Sequence, residues 1–117
     1  MSAELPLPRR KVRRKSAGDK LSAALLRLSE HHGQILDHKE AAWASITFAG
    51  SRHTIGILFA GSEAVAAGER FIEALPDHEF AIPGHLVADA GITEVDHRLA
   101  PSPRIAVKCE LLLLEDA

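Results

Sequence analysis

Apolar positions first recur with a helical period at Leu21, Ala24, Leu25 and Leu28, which fall at i, i+3, i+4 and i+7 on one face of an amphipathic helix. Ser16 followed by Asp19 is a capping-box pattern and Gly33 offers a C-terminal stop, so a first helix is predicted over 17–32. Beyond a polar stretch through Glu40 the period changes to two. Ala44, Ile46 and Phe48 alternate with Trp43, Ser45 and Thr47; Ile55, Ile57 and Phe59 alternate again after the turn residues Gly50-Ser51-Arg52. This predicts a β-hairpin over 42–60. The helical period returns at Ala64, Ala67, Gly68, Phe71, Ile72 and Leu75, behind Gly61-Ser62 as a start signal and ahead of Pro76 as a stop. Gly68 lies inside that apolar stripe, where it costs ~1 kcal/mol relative to Ala, so the helix is expected to pack tightly on a sheet there.

Extended character resumes at Phe80 and Ile82, breaks at Pro83-Gly84 and continues from Leu86 to His97, with Gly91 as a candidate bulge. Leu99 to Pro103 reads as a turn and Arg104 to Glu115 as a final strand. Ile105, Val107, Cys109, Leu111 and Leu113 form one face of that strand, and Leu112 and Leu114 make the other apolar as well. Such a two-sided strand suits the centre of a sheet, or a second face that meets another subunit. The fold class is therefore α+β: two helices on one face of a mainly antiparallel sheet of about four strands, in the order α-β-β-α-β-β. That order is a circular permutation of the ferredoxin-like βαββαβ arrangement.

Charge divides the chain. Residues 1–15 hold six bases and Glu4, a net of +5, whereas 16–117 carry a net of −7. Leu5-Pro6-Leu7-Pro8 favours extended backbone, and Arg9, Arg10, Lys11, Arg13, Arg14 and Lys15 crowd like charges, so 1–15 is expected to be a disordered arm before a single domain, 16–117. Those six side chains are the candidate contacts to an acidic protein or to nucleic-acid phosphates. The acidic remainder and the scarcity of aromatic residues weigh against nucleic acid.

The chemistry-bearing residues point nowhere sharply. Cys109, the single cysteine, excludes an internal disulfide and multi-cysteine zinc sites, and its alternation with Val107 and Leu111 makes it a buried hydrophobe in a reducing, cytoplasmic setting. The segment 16–20 places charges where the apolar core of a secretory signal would begin, and no apolar run reaches membrane-spanning length. Seven histidines include three Asp-His dipeptides, but neighbours in a strand point to opposite faces and cannot support one another. His78, His85 and His97 are weak metal candidates and the histidines in general are expected at the surface or in turns, His31 and His32 in the last turn of the first helix. Phosphate-binding loops and nucleophile elbows are absent, so no cofactor is expected and an enzyme, histidine- or metal-dependent, would rest on histidine number alone.

Trp43 runs out of phase with Ala44, Ile46 and Phe48, and is expected to face away from the helices with Leu58, Leu112 and Leu114. The alternative is a Trp43 tucked under a 33–41 loop. The leading expectation is a non-enzymatic interaction module, homodimeric through that apolar sheet face.

Overall fold

The computed structural model describes residues 15–115. Helix α1 (Ala17–Leu28) leads into a hairpin of β1 (Gln34–Ala44) and β2 (Ala49–Ala60). Then come helix α2 (Ser62–Ala74), a 3-10 turn (Leu75–Asp77), and a second hairpin of β3 (His85–Arg98) and β4 (Arg104–Glu115). The sheet order is β1-β2-β4-β3 with every neighbouring pair antiparallel. Strands β2 and β3 thus run parallel, joined through α2 with β4 inserted between them: a split β-α-β unit, as the permuted ferredoxin-like order requires.

Both helices cover one face. Leu21 and Leu25 of α1 and Val65 and Phe71 of α2 join a single buried cluster with Ile55, Ile57 and Phe59 of β2 and Ile105, Val107, Cys109, Leu111 and Leu113 of β4. Phe59 and Phe71 meet with ring centroids 5.6 Å apart, a tilted contact worth about 0.5–1.5 kcal/mol beyond the area it buries. The tight approach expected at Gly68 is present: a Cβ there would lie 2.8 Å from Cγ of Phe59. Burial also holds for Cys109, whose thiol is pushed up to about 12 by desolvation.

The local signals were realised unevenly. Ser16 accepts from the Asp19 amide at 3.1 Å and the Asp19 carboxylate accepts from the Ser16 amide at 3.2 Å, completing the capping box. The helix ends earlier than predicted, at Leu28. Glu30 and His31 turn through left-handed backbone, φ 59° and 60°, so His31 and His32 lie beyond the last turn. Gly61, with φ 98°, and not a serine hydroxyl, caps α2.

The first hairpin corrects its prediction most. Its turn is Ser45–Phe48, closed by Ser45 N–H donating to the Phe48 carbonyl at 2.8 Å and Phe48 N–H donating to the Ser45 hydroxyl at 3.1 Å. Gly50-Ser51-Arg52 belongs to β2, and Ile46 and Phe48, expected on the core face, protrude from the tip 104% and 54% exposed. Residues 34–41, expected in a loop, are strand instead, so no such loop covers Trp43. In β3 the register slips between Val87 and Asp89 and between Ile92 and Glu94, placing the irregularities at Ala88 and Thr93 instead of Gly91.

Candidate functional site: a part-buried histidine pair and an open sheet face

Two features stand apart from ordinary core packing. The first is polar and lies between α1 and the sheet. In β1 the register slips between Ile35 and Asp37. The bulged Leu36 lets the Asp37 carboxylate accept from the Gly56 amide at 3.0 Å, and it reverses the phase of the strand. Downstream of the bulge, His38 pairs with Ile55 and Glu40 with His53, so both side chains share the helix-covered face. Asp37 and His38 therefore point to opposite sides, as their adjacency demands.

His53 is fully buried, contrary to the expectation of surface histidines. It is satisfied through a continuous chain of polar contacts. The Ser22 hydroxyl of α1 lies 3.2 Å from Nδ1 of His38, Nε2 of His38 lies 2.8 Å from Nδ1 of His53, and Nε2 of His53 lies 2.7 Å from the Ser51 hydroxyl. With both rings neutral, Ser22 donates to His38, His38 to His53 and His53 to Ser51; the reverse set of tautomers serves equally. Burial lowers the pKa of His53; Glu40 opposes that shift, while His38 and His85 add to it. Gly18 lies directly above, where a Cβ would sit 3.3 Å from both the Glu40 carboxylate and the His38 ring.

The second feature is the face of the sheet away from the helices. One row across it reads Trp43, Gly50, Leu114 and Leu86; the next reads Ala41, Arg52, Leu112 and Asp89. Trp43, Leu112 and Leu114 are half-buried and Leu86 is 59% exposed. Leu58 shares the face but sits at its far end, opposite Ala106. Between these ends the face is charged, with Arg52 and Glu110 paired at 3.0 Å and Lys108 and Glu94 at 3.8 Å. A shallow hollow of about 220 Å³ lies there, bordered by Leu36, Asp37, Glu94 and Asp96.

The remaining sequence candidates are scattered. His85 opens β3 and His97 nearly closes it, so His78, His85 and His97 do not converge; among the described residues no three metal-ligating side chains group together. Arg9, Arg10, Lys11, Arg13 and Arg14 lie outside the described residues. Lys15 is exposed beside a small groove that it shares with Lys20 and Arg27. No described helix is long and apolar enough to cross a membrane.

The histidine chain escaped sequence reasoning because its members come from three elements and adjacency within the sequence was the wrong place to look. One signal was present: continuing the Ile55, Ile57, Phe59 alternation two residues upstream lands on His53.

No family model and no curated protein matches the chain. Its fold is similar to that of a chain in the virion of a native gene transfer agent particle. The TM-score is 0.54 at 15% identity, over 84% of this chain and 91% of that one. It is also similar to the type 4 fimbrial biogenesis protein PilO from Pseudomonas aeruginosa, with TM-score 0.41 at 14% identity, over 83% of this chain and 65% of that one. At such identities the likeness concerns the fold alone.

Proposed function

We propose that this protein is a non-enzymatic interaction module that pairs with a second copy of itself through the open face of its sheet. The observation that carries the reading is the uncovered row of Trp43, Leu114 and Leu86, continued by Leu112 and Ala41, on a sheet whose opposite face is already occupied by both helices. An exposed aromatic and aliphatic patch of this kind is characteristic of a contact surface.

The size of the face favours a second copy. Four strands at ~4.8 Å spacing and roughly 40 Å in length present on the order of 750 Å², close to the ~800 Å² that each partner of a stable complex contributes. The internal ion pairs Arg52–Glu110 and Lys108–Glu94 neutralise charge within the face, which lowers the cost of covering it. The gene transfer agent virion, in which a chain of similar fold occurs, is itself an assembly; this agrees with a role in protein–protein contact.

The test is the mass of the full chain in solution at tens of micromolar, by light scattering or native mass spectrometry. A dimer that becomes a folded monomer on Trp43→Lys or Leu112→Lys is the expected result. A monomeric wild type, or an oligomer unchanged by both substitutions, refutes the proposal.

A further inference from the structure

We infer that the Ser22, His38, His53 and Ser51 chain is an acid-sensitive latch that holds α1 against the sheet. The chain crosses from α1 to β1 to β2. The hairpin is independently secured by its ladder, whereas α1 depends on Leu21, Ala24 and Leu25, on Gly18 seated over Glu40 and His38, and on Ser22. Breaking the chain therefore weakens α1 before it weakens the hairpin.

Counting protons gives the direction. One added proton is accommodated: with His53 donating from both nitrogens, His38 accepts at Nε2 and donates from Nδ1 to Ser22, and every contact survives. A second proton is not, because Nε2–H of His38 and Nδ1–H of His53 would then meet head-on across 2.8 Å. The charged groups around His53 only partly offset this. Glu40 on β1 favours a charged ring, and His38 on β1 and His85 on β3 oppose it. Lys20 of α1 is directed to the Pro83 carbonyl at 3.1 Å, and Glu115 of β4 is the register partner of His85. From α1 itself, uncharged Ser22 and Gly18 meet the pair.

With α1 lifted, His53 reaches water and the two N–H groups need no longer meet head-on, so the second proton is no longer barred and His53 regains its ordinary value of 6.5. The open state then binds more protons than the closed one, so acid favours opening. The latch is fully effective above pH ~6.5, weakens progressively as the pH falls below that, and has lost this contribution once the pH passes the lowered value of His53.

Hydrogen exchange on the full-length protein, corrected for intrinsic rates, tests this between pH 7.5 and 5. The α1 amides are expected to lose protection by up to about tenfold per pH unit below 6.5, for one differential proton. Those of β4 at Val107, Cys109 and Leu111 should keep theirs. His53→Leu should flatten the dependence in α1. Equal loss in α1 and β4 would mean general acid unfolding and overturn the latch. So would flat protection in α1, or an undiminished slope in His53→Leu. The comparison of α1 with β4 in the wild type stands even if that variant does not fold.

Discussion

Gly68→Ala sets two known effects against each other at one position. Alanine in the middle of α2 gains about 1 kcal/mol of helix propensity. The added methyl, however, lands 2.8 Å from Cγ and 3.0 Å from Cδ2 of Phe59. That ring is fully buried on β2 and backed by Phe71, so it has no free direction in which to withdraw. Overpacking of this kind costs about 1–3 kcal/mol, and the expected net effect is a loss of about 1 kcal/mol, or roughly 4–8 °C in Tm for a domain this size. Urea denaturation followed by far-UV circular dichroism measures it. In a Phe59→Leu background, itself destabilised by about 1–2 kcal/mol, the same Gly68→Ala change should become stabilising, because the clash is gone and the propensity remains. If Gly68→Ala stabilises the wild type, the ring can yield and the close-packing argument fails.

Two further outcomes follow from local chemistry. Ser16→Ala removes the acceptor for the Asp19 amide and should lower stability by about 1 kcal/mol in the same denaturation experiment. The Cys109 thiol, fully buried and with its pKa pushed up to about 12, should react with a thiol reagent at pH 8 only as fast as the protein opens; rapid labelling of the native state would contradict its burial.

The fold was legible where one periodicity ran unopposed. The span of β4 is as read, because Ile105 to Leu113 alternate without interruption, and α1 begins where its capping box does. The first hairpin misled because Ile46 and Phe48, which continue the alternation begun at Ala44, lie in the protruding turn. Its edge strand meanwhile turns the part-buried His38 and the exposed Glu40 to the inner side, after a bulge that periodicity cannot register. Trp43, Leu58, Leu112 and Leu114 do share the outer face, yet only the register shows Leu58 at its opposite end and adds Leu86 beside Leu114. The histidine chain depends on α1 lying across β1 and β2, a tertiary fact that no local pattern encodes.

The sheet order bears on how the molecule is made. Strands β2 and β3 never touch; each is paired to β4, the last of the four in sequence. As the chain leaves the ribosome, the first hairpin and α2 emerge on the order of seconds before β4 does. Throughout that interval the inner edge of β2 has no strand beside it, and Ile55, Ile57 and Phe59 lack their partners Cys109, Val107 and Ile105. A nascent chain in this state resembles an unfinished edge ready to pair with any passing strand, another nascent copy included. Completion of β4 closes the gap in a single step, so a fragment ending before Arg104 should be captured by chaperones or aggregate instead of persisting as a smaller, stable version of the domain.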